Sequence, residues 1–392
     1  SVVDKSLYDW SSINLYAVNR VMDKTETTSI KIDQVFLNSR RQSLAGQISF
    51  QREDAERRER NLFGAANAVG ASGQLLVDPN LTYLDRTPNP FFGRPFLNTG
   101  APRSFSKPSL WDSYRAQFAY KLDLRQEKNW WRWLGLNQVT GYDEYKYRIS
   151  RQYVFRDAIV SAHSWIPAGR PRGNQSAIAG GPIASALSTR VDGRYYVGDN
   201  VGTNVDYAPS QYKYGTYIFT WGDAGLNVFN REPSTIGEVG VTDQTGGGSN
   251  SKSILKTLGG VWQSHLLNSR VVATFGIRQD QTYAKSGLVP QQLQPDGITL
   301  DYETIDHWEV GDWRYNVGRT QTKGVVARPF LDLGFVRRIA EGNGAGHLVG
   351  EVLNGLSFYY NQADSFKPQT PAQDIFLHQL PNSTGVGKDY GF

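Results

Sequence analysis

Histidine spacing is the first place to look for chemistry, and it argues against a metal site. His163, His265, His307, His347 and His378 lie far apart, with no HExxH or comparable ligand spacing. Structural or surface roles are the expectation for all five. Cysteine is absent, which removes a thiolate metal site, a disulfide framework and a Cys nucleophile together. Gly246–Ser253 (GGGSNSKS) has a phosphate-loop flavour, yet it lacks the Gly before its Lys and a buried strand ahead of it. A flexible loop is expected there. Gly342–Gly346 (GNGAG) fails the dinucleotide spacing and reads as turn, and no GxSxG occurs. Asp192, Asp199, Asn200 and Asp206 are rich in oxygen but match no compact calcium loop, so solvated carboxylates are expected. No catalytic centre, metal or cofactor follows, and the chain reads as non-enzymatic.

Recognition is the chemistry that remains. Trp165, Arg170, Arg172, Tyr195, Tyr196, Trp308 and Trp313 fall in long loops, where side chains often meet a ligand. They are the ligand-contact candidates. The competing role, packing the loops onto one another, is the stronger expectation.

The elements that must carry these loops are strands. The 392 residues include 40 Gly, 21 Tyr, 18 Phe and 10 Trp, a balance that favours strands and turns over helices. Net charge is +5, with both signs mixed, and the one dense run, Arg52–Arg60 (REDAERRER), carries both. No basic stripe marks a nucleic-acid partner. No apolar run is long enough for a transmembrane helix, which leaves a transmembrane barrel open because barrel strands alternate.

Alternation is clearest in two hairpins. In Leu258–Tyr283, the residues Val271, Ala273, Phe275 and Ile277 point one way, and Val272, Thr274, Arg278 and Asp280 the other. Leu267-Asn268-Ser269-Arg270 supplies the turn. In the other hairpin, Tyr114, Ala116, Phe118, Tyr120, Leu122 and Leu124 share a face with no charge. Its return arm puts Val139, Gly141, Tyr145, Tyr147, Ile149, Tyr153 and Phe155 together, interrupted by Asp143 and Arg151, which are expected toward the ends of the strand. Further hairpins are expected at about 28–54 and 319–361, the last with a Gly-rich turn region. Long irregular stretches join the hairpins, roughly 54–112, 156–251 and 286–318. Short turns on one side and long loops on the other, with long aromatic-rich strands, form the pattern of an outer-membrane barrel. Trp130, Trp131 and Trp133 beside one turn suit an interfacial aromatic girdle.

Leu356–Pro368 (LSFYYNQADSFKP), followed by LPNSTGVGKDYGF, resembles the barrel of TonB-dependent outer-membrane receptors. RVVATFGIRQD (270–280) and TPNPFFGRPF (87–96) resemble further stretches of that family's barrels. The resemblance spans most of the chain and is strongest after Leu258; its motifs are structural. It implies an all-β antiparallel transmembrane barrel, here incomplete, with about eight to ten long strands. The whole chain would be one partial barrel domain, a fragment cut at both ends, with no plug domain and no TonB-contacting segment. Such a barrel lies among outer-membrane lipid of a Gram-negative-type bacterium and imports a scarce small-molecule or glycan ligand. A TonB-type energy-coupling partner would act only through the missing plug. Two alternatives stay open: a soluble secreted β-sandwich or propeller that binds carbohydrate, and a plugless porin-like channel. On the first reading the Asn268-Ser269 turn faces the periplasm, Val271, Ala273, Phe275 and Ile277 meet lipid, and Arg278 and Asp280 line the lumen.

Overall fold

A computed structural model describes residues 19–61, 75–98, 102–166, 168–173, 189–191, 194–196, 213–223, 228–242, 248–290, 292–308, 313–342, 344–366, 374–376, 380 and 383–392. Their main feature is one open antiparallel sheet. Its path runs through β1 (Arg20–Asn38), β2 (Gln42–Asn61), β5 (Arg103–Asp123), β6 (Leu136–Ile159), β10 (Ser249–Leu266), β11 (Val271–Ser286), β12 (Arg314–Ala327), β13 (Phe358–Phe366) and β14 (Thr384–Gly391), in that order. A second, small sheet joins β3 (Leu75–Val77), β4 (Pro95–Asn98) and β7 (Arg194–Tyr196). The fold is all-β and antiparallel as expected, and β1 and β14 are its two unclosed edges.

Sequential neighbours pair because short turns join them. β1 meets β2 across Ser39–Arg41, and Ser39 caps that turn by accepting the Gln42 N–H at 3.0 Å. β10 meets β11 through Leu267, Asn268 and Ser269, all three left-handed (φ 52°, 58° and 66°). Asn tolerates that conformation, whereas Leu is strained in it. The other ends carry the long connections. There β8 (Gly215–Asp223) and β9 (Val228–Gly240) form an extra hairpin. One edge of β6 is therefore used twice: β10 pairs it up to Gln152, and β9 takes over from Phe155 to Ile159.

Several expectations were too short or too irregular. β2 runs through the charged Arg52–Arg60 segment, because its partner β5 continues opposite it as far as Arg103. The stretch 156–251, expected to be irregular, contains both β8 and β9. The Gly-rich region after β12 is helical: α1 (Gly334–Ala340) packs against α2 (Ala345–Gly355), with Val336 fully buried. The contact is close at Gly350, where a Cβ would lie 2.3 Å from the Ala340 nitrogen. Glycine serves here as a helix-packing residue as well as a turn former.

The tryptophan turn is pinned in the same way. Trp130–Leu134 forms a 3-10 turn whose Asn129 side chain accepts the Trp131 N–H. Gly135 follows at φ 60°, with the His265 carbonyl oxygen 1.7 Å from where a Cβ would sit. Only glycine fits both the angle and the space. Gly135→Ala is expected to cost about 2–4 kcal/mol in a chemical-denaturation midpoint, from strain plus overpacking. Gly334→Ala, with open space around it, is the near-neutral control.

Candidate belt and outer-loop site

The registers sort side chains into two faces. One row runs Gln34, Gly46, Phe118, Gly141, Gly260, Ile277, Gln321 across seven strands. Its neighbours on this face include Ile30, Ile32, Ile48, Tyr114, Val139, Leu258, Trp262 and Phe275, most of them exposed; Ile48 and Leu258 are 64% accessible. No described element covers them. The adjacent row runs Asp33, Gln47, Gln117, Tyr142, Gly259, Arg278, Thr320 on the opposite face. Charges are answered locally on that face: Asp280 accepts from Thr257 Oγ1 at 2.6 Å and pairs with Arg278 at 2.9 Å. Gln51, Glu53, Trp111, Ser113, Glu144 and Lys146 frame a small polar recess of about 170 Å³ there.

Aromatic side chains bound the apolar face at both ends. Toward the short turns lie Tyr120, Trp262 and Phe275 in one row. Toward the long loops come Phe50, Tyr114 and Tyr145, with ring centroids 5.0 and 6.2 Å apart, then Tyr147, Tyr283 and Tyr315 in the next row. Trp262 to Ile254 on β10 spans about 27 Å of strand, or about 20 Å when tilted by about 40°. In the same row as Ile254 and Tyr147 the face already turns ionic on β2 and β5, where Arg52 pairs with Asp112 at 2.7 Å. Between the aromatic rows an apolar trough of about 810 Å³ opens where glycines replace side chains. The Phe118 ring lies over Gly141, 2.6 Å from where a Cβ would be.

Polar residues interrupt this belt in several places, among them Lys256 on β10 and Gln279 and Gln281 on β11. Arg151 lies toward the loop end as expected, but Asp143 does not lie near an end: it pairs with Ala116 and Leu258, one row from Gly141. On β12 the same face carries Arg319, Gln321 and Lys323, and Arg319 donates to Gln279 at 2.8 Å. The middle of the apolar surface is therefore broken at β12, while Val325, Phe358 and Tyr360 continue it toward the short turns.

Above the belt the loops have a core of their own, in line with the expectation that loop side chains pack on one another. Ile159, Ile166, Val191 and Ile236 are buried together, with Trp165 and Phe219 against them. Asp157, fully buried, accepts from Tyr214 at 2.9 Å and pairs with Arg60 at 3.2 Å. Burial, then the Asp157 carboxylate, pushes the Tyr214 hydroxyl far above its ordinary pKa. A Ser161–His163–Glu232 chain also forms, with Oγ–Nε2 at 2.6 Å and Nδ1–Oε1 at 2.9 Å. Those distances suit a nucleophile–base–acid relay. Ser161 Oγ, however, already accepts the Thr235 N–H at 2.9 Å, and Trp165 Nε1 shares Glu232 at 2.7 Å. The chain of bonds ties the exit of β6 to β9. Ser161 and His163 lie two residues apart, but Glu232 lies far off in sequence, so spacing gave no signal for the chain of bonds.

The seven ligand-contact candidates separate into groups. Trp165 packs on the loop core, and Arg172 is buried, donating to the Ile159 and Ser161 carbonyls at 3.2 Å each. Arg170 lies beside them in the loop, half-buried. Tyr195 contributes backbone to the small sheet by pairing with Leu97. Tyr196 stacks on Phe91 at 4.2 Å and donates to buried Asp78. Trp308 and Trp313 instead lie against Lys252 and Lys285 on the outer ends of β10 and β11. The oxygen-rich group Asp192, Asp199, Asn200 and Asp206 lies outside the described residues, as does His378. Among the described residues no cluster of three or more His, Cys, Asp or Glu could hold a metal. No protein-family model and no curated protein matches the chain.

Two outcomes check this loop architecture. Ser161→Ala removes both bonds that Ser161 Oγ makes, to His163 and to the Thr235 N–H, and a stability lower by about 1–3 kcal/mol is expected in chemical denaturation. At Asp78, burial alone would raise the carboxyl pKa, but Tyr196, the Asn80 amide, Asn89 and Arg194 outweigh it and hold it below its ordinary value. That stabilisation is full above about pH 4 and is lost as pH falls through the depressed folded-state pKa. Protease protection of the β3–β4–β7 sheet should therefore decline in acid, and in Asp78→Asn that acid-dependent decline should be absent.

Proposed function

We propose that this chain is part of the wall of an outer-membrane transporter of the TonB-dependent kind, non-catalytic, importing a scarce small-molecule or glycan ligand. The supporting observation is the belt: an exposed apolar face bounded by two aromatic rows, backed by a charged face, on strands that overhang it at the loop end. A spanning strand needs about 9–11 residues, and β5 and β6 exceed this with ionic ends (Arg103–Asp123 and Leu136–Ile159). Lipid cannot satisfy a free strand edge, so β1 and β14 would join further strands in a closed wall. On this reading the TonB-type partner acts on a plug domain and not on these strands. Loop residues such as Tyr196 and Trp165 shape the entrance, and the polar recess at Trp111 faces the path of the ligand.

A soluble sandwich would bury the apolar face under a second layer, and Ile48, Phe118 and Leu258 have none among the described residues. Insertion into phospholipid vesicles separates the readings. Phe118→Lys is expected to cost about 2–4 kcal/mol of insertion, while Gln117→Lys on the opposite face is tolerated. Equal tolerance of both, in a chain that stays monodisperse without detergent, would sink the membrane assignment. Uptake that persists without an energised partner would assign the wall to a passive channel.

A further inference from the structure

Just beyond the loop-end aromatic row, the apolar face carries an unusual concentration of positive charge. Lys252 and Lys285 stand directly opposite each other in the β10–β11 register. Like charges so placed destabilise a ladder unless something compensates them. Arg151 occupies the next row on the same face, opposite Asn250. Among the described side chains, the carboxylate recorded against this trio is Asp306, paired with Arg151 and 75% exposed. Two tryptophans frame the cations: Lys252 Nζ lies 4.3 Å from the Trp308 ring centroid and Lys285 Nζ 5.7 Å from that of Trp313. The segment bearing Trp308 is fixed in place. Buried Asn250 donates to the Leu288 carbonyl at 2.9 Å and the Ile305 carbonyl at 2.6 Å, and accepts from Arg151 Nε at 3.3 Å.

We propose that Lys252, Lys285 and Arg151, flanked by Trp308 and Trp313, bind the anionic phosphate of a membrane lipid whose acyl chains lie along the belt below. The ligand is a lipid and not free phosphate, because the row directly below the cations is apolar and aromatic and two tryptophans flank them. Ile254, Tyr283 and Tyr147 form the next row below them; Lys256 and Gln281, then Asp143 and Gln279, stand beside Tyr145 and Leu258 before the trough at Ile277. Trp308 and Trp313 thereby serve the lipid and not the imported ligand. The inference rests on the belt facing lipid, and the test separates the two claims. A fluorophore on Ile254→Cys reports the site and one on Phe275→Cys reports the belt, in the full chain reconstituted in phosphatidylcholine vesicles. Brominated phosphatidic acid, as a minor component, should quench position 254 more than equally brominated phosphatidylcholine, through a local enrichment of about fivefold, the effect of one lysine near an anionic surface. Lys252→Gln with Lys285→Gln should remove that preference and leave quenching at 275 unchanged. Equal quenching of 254 by both lipids overturns the site while the belt stands. Loss of the preference on adding millimolar inorganic phosphate also overturns it, as a free-anion site. Absence of quenching at 275 by any lipid overturns the belt itself.

Discussion

Apolar side chains stay on one side of this sheet only because each ladder holds a single register. A one-residue slip of β10 against β6 would carry Ile254, Leu258 and Trp262 to the charged face and bring Thr257 and Gln263 to the apolar one. The ladder alone does not prevent this, since backbone bonds re-form after any slip. The turns and close contacts do. Gly135 against the His265 carbonyl, the left-handed Leu267–Ser269 turn, and Phe118 over Gly141 each fit only one alignment. The segregation of the faces, the aromatic rows and the lysine pair opposite Trp308 and Trp313 all depend on that alignment.

Beyond the belt the strands change role. Their outer halves carry ions on both faces and serve as a platform on which loops fold. β9 continues the edge that β10 leaves, the Asp157–Arg60–Tyr214 group lies buried at that junction, and the Ser161–His163–Glu232 bonds close it. Hydrophobic packing of Ile159, Ile166, Val191 and Ile236 holds the layer together. The belt itself is uneven. Asp143 and Lys256 sit within it and β12 presents Arg319, Gln321 and Lys323; on the proposed membrane reading a cation at mid-depth would cost about 2–4 kcal/mol against lipid. That face of β12 suits a covered or watered position better than open hydrocarbon.

Much of the sheet was legible because period-two alternation is a local signal. The faces of Val271–Ile277, Tyr114–Leu122 and Val139–Phe155, and the hairpin pairing, follow from spacing alone. Strand ends were not legible. Arg52–Arg60 shows charge without alternation, and it is a strand because β5 pairs with it. α1 and α2 were hidden by glycines that look like turn formers, although Leu348 and Val352 have helical spacing. Asp143 could not be placed in depth without its cross-strand partners. The loop constellations were the least visible, since Ser161, His163 and Glu232, or Asp78 and Tyr196, meet only through packing. Trp308 and Trp313 were named among the ligand-contact candidates, but spacing could not show that they lie against Lys252 and Lys285.

On the proposed membrane reading, one face of this sheet meets hydrocarbon while the other does not. The chain has no cysteine, so a spin label can be walked residue by residue along β11 from Val271 to Tyr283 in vesicles. Collision rates with oxygen, which concentrates in lipid, and with a water-soluble nickel chelate should alternate with period two. Positions 273, 275 and 277 are expected to favour oxygen, and 274, 276 and 278 the chelate. The same rates at both parities, or an alternation of opposite phase, would contradict the account.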